Sequence, residues 1–190
     1  CPEVLGKLNC IRTYAAGVTT GGITALMGLK KAKIHGGQKV MVYGASGSVG
    51  TYAVQLAKYF GAEVTGVCSN ANIEMVKSLG ADKVIDYIRE NLSEYGKVYN
   101  VVYDAVDKLP SSVGKKLLTD KGIYVKVGTD DKNVSIEDLY FLKELIEAGK
   151  LKAVIDRTYP LEQIVEAHRY VEKRHKKGNV VITIESNQNL

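Results

Sequence analysis

Apolar residues change their spacing several times along this chain, and each change marks an element. Residues 39–43, KVMVY, are an unbroken apolar and β-branched run with the length of a buried strand. The run passes directly into GASGSVG at 44–50. From Ser48 onward, Val49, Ala53, Leu56 and Phe60 recur every three or four residues, the period of one helix face, and Gly61 stands at a C-cap position. Before this unit, residues 1–20 show no clear period, while 24–33 (TALMGLKKAK) read as a helix with Ala25, Leu26 and Leu29 inside, ended by His35-Gly36-Gly37. After it come a strand at 63–67, a short helix at 72–79 stopped by Gly80, and strands at 83–86 and 98–106. Ser111 or Ser112 is placed to cap a helix through Leu118, and a fifth strand follows at 122–127. Strands alternate with helices, so the pattern predicts an α/β fold with a doubly wound parallel sheet covered on both faces.

The last third reads differently. Ser135 and Asp138 form a helix-start pair ahead of Leu139, Leu142, Leu145 and Ile146. Gly149 closes that helix, which is expected to cover the sheet edge. Strands at 153–155 and 180–184 flank a helix at 161–173 and do not extend the first sheet, and 187–190 is a polar tail expected to fray.

The glycine run carries the candidate chemistry. A strand, a glycine turn and a helix bring backbone N–H groups and the positive end of a helix close to a pyrophosphate, because glycine removes the side chains that would block it. The structural alternative is that the glycines only pack the helix onto the strand. Composition adds limits rather than chemistry. The chain has 190 residues, 45% of them hydrophobic, and a formal charge of +5 from lysines read as scattered. That predicts one core and a solvated basic surface without nucleic-acid binding. Cys1, Cys10 and Cys68 are an odd set without metal or disulfide spacing, which fits a reducing compartment, taken as cytoplasmic. No apolar run has membrane-spanning length. The chain opens on Cys1 without a methionine, which reads as the interior of a longer protein.

Several blocks of this chain resemble one family in that family's order: GASGSVGTYAVQLAKYFGAEVTGVCS at 44–69, VKSLGADKVIDY at 76–87, TTGGITALMGLKKAKIHGGQKV at 19–40, YDAV at 103–106, and AVIDRTYPLEQIVEAHRYVEKRHKKGNVVITI at 153–184. They resemble the medium-chain dehydrogenase/reductase superfamily, nearest to its quinone oxidoreductase and zeta-crystallin branch. The resemblance implies a lead-in at 1–19, a Rossmann NAD(P)-binding domain at 20–150, and at 151–190 a segment of a GroES-like catalytic domain otherwise missing from this chain. It also implies hydride transfer to a small-molecule quinone or enal. By resemblance Thr20 lies near the nicotinamide, the glycine turn (Gly44, Ser46, Gly47, Ser48, Val49 and Gly50) holds the pyrophosphate, and Val106 and Val127 border the carboxamide.

The second strand bears on cofactor choice. An acidic residue at its end would bind the ribose 2′-hydroxyl of NAD and repel a 2′-phosphate. Cys68 stands there, and Ser69, Asn70 and Asn72 follow as neutral donors, so NADP(H) is expected. The family's usual cation in this turn is replaced by Ala71 and Asn72. Tyr87 matches a family tyrosine near the same phosphate; a strand-end packing role is the alternative. Cys68 also reads as a small buried hydrophobe. Zinc is not expected, because Ala16 occupies the position of the catalytic thiolate, and His35, His168 and His175 lie on separate elements. His168 falls on an apolar face with Ile164 and Val171 and reads as a packed histidine. No catalytic residue emerges among the twelve tyrosines. A cofactor that reacts while the protein positions it is the implied mechanism.

Three departures from the family stand out. The amino-terminal domain is absent, so the strands at 153–155 and 180–184 need a missing segment or partner chain to cover their edges. The segment between Gly128 and Val134 is shorter than the family's sixth-strand region, through which family dimers pair, and this leaves the oligomeric state open. Asp107 replaces a glycine beside the expected nicotinamide site. A non-catalytic NADP(H)-binding module is the competing reading. An S-adenosylmethionine methyltransferase also uses a glycine turn, and Cys68, where an acid is wanted, speaks against it.

Overall fold

Gly17, Gly21 and Gly28 lie in one helix, where they let it approach its neighbours. The computed structural model describes residues 2–128 and 134–184, with side chains from residue 16 onward, and its first element is α1 (Pro2–Lys31). A Cβ at Gly21 would lie 2.9 Å from the Ser48 carbonyl oxygen, and one at Gly28 2.6 Å from the Tyr103 ring. These contacts correct the reading of 1–20 as aperiodic and of a helix starting at 24. The helix runs through both stretches, because its glycines are packing residues against helix and sheet rather than breakers.

Five strands follow the expected alternation. β1 (Lys39–Tyr43), β2 (Glu63–Cys68), β3 (Lys83–Asp86), β4 (Tyr99–Asp104) and β5 (Leu118–Lys126) form one all-parallel sheet in the order β3-β2-β1-β4-β5. Alternate residues of β1 feed two cores. Val40 and Val42 join the cluster under α1, α2 (Ser48–Tyr59) and α3 (Ile73–Ser78), while Met41 joins Val67, Val102, Leu109 and Leu117 on the other face, with α4 (Ser111–Lys116). The chain order reverses between β1 and β4, and the carboxyl ends of those strands open a crevice there.

Several boundaries differ from expectation. α4 is preceded by Pro110 and has no side-chain cap, so neither Ser111 nor Ser112 caps it. It ends at Lys116 because Leu118 already pairs with Tyr99, and a register shift before Val101↔Ile123 accommodates the early start of β5. The fourth strand is shorter than 98–106, because the Asp104 carboxylate takes the N–H groups of Val106 at 3.1 Å and Leu109 at 2.9 Å and turns the chain. α5 (Ile136–Glu147) starts as expected, with Ser135 Oγ accepting from the Asp138 N–H at 3.3 Å. It does not lie on the sheet edge. Leu142 and Leu145 enter the α1 core, Phe141 stacks on Phe60 at the end of α2, and Lys30 pairs with Asp138. The short segment 129–133 and the tail 187–190 lie outside the described residues.

The carboxyl-terminal part forms a second, two-stranded parallel sheet of β6 (Ile155–Pro160) and β7 (Asn179–Thr183), joined by α6 (Ile164–Glu172). β6 begins where residues 153–155 were expected to end, because Leu151 and Ala153 are buried against the main core instead. Two buried amides fasten this layer to α2. Gln55 donates to the Lys152 carbonyl at 2.9 Å and accepts from the Lys152 N–H at 2.8 Å. Asn179 accepts from Ser48 Oγ and donates to Tyr52 OH at 3.4 Å and to the Val154 carbonyl at 3.2 Å. Among the described residues, no helix is long and apolar enough to cross a membrane.

Replacing Asn179 with leucine leaves the Ser48 hydroxyl without its acceptor, and both the Tyr52 hydroxyl and the Val154 carbonyl without this donor. The expected loss is about 1–3 kcal/mol, read as a lower thermal midpoint in calorimetry, whereas an exposed Lys143→Ala control changes stability by under about 0.5 kcal/mol.

Candidate dinucleotide site

The glycine turn is built by collisions that only glycine avoids. Gly44 sits at φ +78, where L side chains are strained, and a Cβ on Gly50 would strike the Gly44 carbonyl oxygen. The Gly44 and Ala45 N–H groups both donate to the Val67 carbonyl at 3.0 Å, and Gly47 N–H donates to the Gly44 carbonyl at 3.0 Å. The turn is therefore locked to the end of β2. α2 then begins after Gly47 with no side-chain cap and no acidic residue in its first turn, so its first N–H groups and positive dipole end stay available for an anion.

A cavity of about 1060 Å³ opens over this turn. One wall carries Gly44, Ser46, Gly47, Ser48 and Val49. The end of β2 adds Cys68, Ser69, Ala71 and Asn72, and Tyr43, Tyr87, Ala105, Val106 and Lys108 close the side. Asn72 Nδ2 lies 3.2 Å from both Ser46 Oγ and Ser69 Oγ, tying the two loops together. The facing wall is α6 and the turn after it, with His168, Val171, Glu172, Arg174, His175, Lys176 and Lys177. It is held in place by the Gly178 N–H, which donates to the Ser46 carbonyl at 2.8 Å. Burial holds the Lys176 ammonium below the ordinary lysine range, and its Nζ donates to the Gly178 carbonyl at 2.6 Å.

Of the residues expected at the site, Gly44, Ser46, Gly47, Ser48, Val49, Ser69, Asn72, Tyr87 and Val106 line this cavity. Gly50, Thr20, Asn70 and Val127 are absent from its lining. Gly50 is buried beneath the turn. Thr20 is exposed on α1, where its carbonyl accepts from Thr24 Oγ1 at 2.7 Å. Asn70 is exposed, and the Val127 N–H donates to the Asp104 carbonyl at 2.9 Å.

The basic wall is what sequence reasoning missed. The run KRHKK at 173–177 is a dense block inside a charge read as scattered, and it was the available signal. His168 is exposed on the cavity side rather than packed among apolar residues, because α6 has little covering that face: Ile164 is also exposed. Asp107 is absent from the lining; it adopts φ +53 and pairs with Lys126 at 2.6 Å. Among the described residues, no three His, Cys, Asp or Glu side chains come together in a way that could hold a metal ion. Ala16 is exposed on α1.

A parallel sheet with a switch-point crevice, a glycine turn and an uncapped helix start define a Rossmann-type α/β domain. Residues 48–156 match a family model described as zinc-binding dehydrogenase, and 132–182 match a second model of the same description. An Arabidopsis thaliana protein named NADPH-dependent alkenal/one oxidoreductase, chloroplastic, is 34% identical over 88% of this chain and 46% of its own length. A Solanum lycopersicum 2-methylene-furan-3-one reductase is 37% identical over 84% of this chain and 44% of its own. The solved quinone oxidoreductase of Coxiella burnetii superposes with a TM-score of 0.74 at 28% identity, covering 90% of this chain and 60% of that one. The chain belongs to the zinc-binding dehydrogenase family, and within the medium-chain dehydrogenase/reductase superfamily it is a cofactor-binding domain of the quinone oxidoreductase branch. It spans about half the length of the curated relatives it matches.

Cys68 lines the cavity, yet burial, with the neighbouring Asp86 carboxylate, pushes its thiol up to about 11. The thiolate is the reactive form, so Cys68 is expected to resist iodoacetamide at pH 7.5 and to be alkylated on unfolding in urea, as read by peptide mass spectrometry.

Proposed function

We propose that this chain binds NADP(H) and is the cofactor-binding part of a zinc-independent reductase that transfers hydride to a quinone or an α,β-unsaturated carbonyl. The observation that carries this reading is the charge lining of the cavity. A thiol rather than a carboxylate ends β2, Arg174, Lys176, Lys177 and Lys108 line the same cavity, and among the described residues Glu172 is the only carboxylate in the lining. A dinucleotide with a third phosphate suits that distribution better than one without. The relatives named for NADPH, alkenal and quinone chemistry support the same assignment.

In this reading the first turn of α2 and the backbone of residues Ser46 to Val49 take the pyrophosphate, which leaves the Ser46 hydroxyl, held by Asn72, for the ribose end of the cofactor. Ser69 and Tyr87, with the basic run of the same cavity, take the 2′-phosphate, Asn72 holds Ser69 in place beside it, and Asn70 flanks them. Gly50 acts by permitting the turn. Val106 packs on the cofactor, while Thr20 and Val127 serve a nicotinamide side completed by an adjoining catalytic domain, of which residues 151–190 are a segment. The nicotinamide supplies the hydride when bound, and the chain's own residues bind and orient it, lowering the barrier by position. Residues 20–150 form the NAD(P)-binding domain in this scheme, the compartment is the reducing cytoplasm, and the free thiol of buried Cys68 accords with it.

Calorimetric titration with NADPH and with NADH tests the reading. NADPH is expected to bind at least about tenfold tighter, and the double variant Arg174→Ala/Lys177→Ala to lose most of that margin while flattening its salt dependence. Tighter NADH binding overturns the cofactor assignment. NADPH binding without quinone or enal reduction by the parent protein leaves a binding module instead of an enzyme.

A further inference from the structure

Asn72 spends both protons of its amide on two serines from different loops. Its Nδ2 lies 3.2 Å from Ser46 Oγ in the glycine turn and 3.2 Å from Ser69 Oγ after β2. A hydroxyl has one proton. With each oxygen already accepting from the amide, each serine must direct its own O–H elsewhere, and among the described residues neither donates to a protein acceptor. Both serines line the cavity. The Asn72 backbone is fixed by its N–H bond to the Ser69 carbonyl at 2.9 Å, and its Oδ1 is buried with no partner in the protein.

We propose that Asn72 is the positioning residue that sets dinucleotide preference, by holding the Ser46 and Ser69 hydroxyls as a pair of outward donors and keeping one acceptor beside them. This rests on the reading of the cavity as a dinucleotide site. A 2′-phosphorylated ribose matches the set: the phosphate offers only acceptors to the two hydroxyls, and the adjacent 3′-hydroxyl offers a donor to Asn72 Oδ1. An aspartate at 72 would invert the arrangement. Its carboxylate would accept from both serines, turn their protons inward and repel a phosphate.

Affinities of wild type, Asn72→Ala and Asn72→Asp for NADPH and NADH, measured by calorimetry with the fold checked by circular dichroism, test the assignment. The preference for NADPH is expected to fall about tenfold in Asn72→Ala and about a hundredfold in Asn72→Asp, the latter without loss of NADH binding. In a Ser46→Ala/Ser69→Ala background, Asn72→Ala is expected to change the preference by less than about twofold, because its effect runs through the two hydroxyls. A wild-type preference retained in both Asn72 variants overturns the inference, and so does full additivity in the serine background. Should the Asn72 variants not fold, Ser46→Ala and Ser69→Ala carry the test alone: each is expected to lower the preference, and no change in either overturns it. If wild type shows no NADPH preference at all, the reading of the cavity falls and the inference falls with it.

Discussion

The site depends on the absence of one side chain, at Gly50. Any Cβ there would meet the Gly44 carbonyl, so only glycine lets the first turn of α2 settle onto the end of β1. The same approach lets the Gly44 and Ala45 N–H groups share the Val67 carbonyl, which joins the turn to β2 and fixes the cavity floor. Gly47 begins the helix without offering a capping side chain, and the N–H groups that a serine or aspartate would have satisfied remain for an anion.

The cavity has two walls because α2 also holds the carboxyl-terminal layer. Gln55 pairs with the Lys152 backbone as a strand would, and Asn179 collects Ser48, Tyr52 and Val154. Buried amides with several bonds outweigh the ion pairs of the surface. Lys58–Asp82 and Lys97–Asp120 are solvent-accessible and worth about 0–1 kcal/mol each, whereas leaving a buried polar group unpaired costs about 1–3 kcal/mol. The basic turn at 174–177 is thereby carried to the glycine turn by packing and hydrogen bonds formed far from it in sequence, and the charge of the site follows from that placement.

Much of the main sheet was legible. β1, β2, β3 and α2 stand where the apolar period and the glycines put them, since a buried parallel strand needs a continuous apolar run and a helix over it needs one apolar face. The floor of the site was legible for the same reason: strand, glycine turn and helix are contiguous. α1 was not. Its glycines lower helix propensity locally, and only the facing Ser48 and Tyr103 show why they are there. His168 was misread because a helical period identifies an apolar face without saying whether anything covers it.

By itself, then, the sequence determined the alternation of strands and helices, the glycine turn and the lack of a carboxylate at the end of β2, since each is set by residues adjacent along the chain. Only the tertiary structure decided that Arg174, Lys176 and Lys177 line the same cavity as Ser69 and Asn72, that Asn72 bridges two loops, and that Asp107 turns to Lys126 instead of the cavity. The physical reason is range. Backbone conformation and periodicity act over a few residues, whereas a charge or an amide acts on whatever folding brings within hydrogen-bonding distance, and local sequence carries no record of that partner.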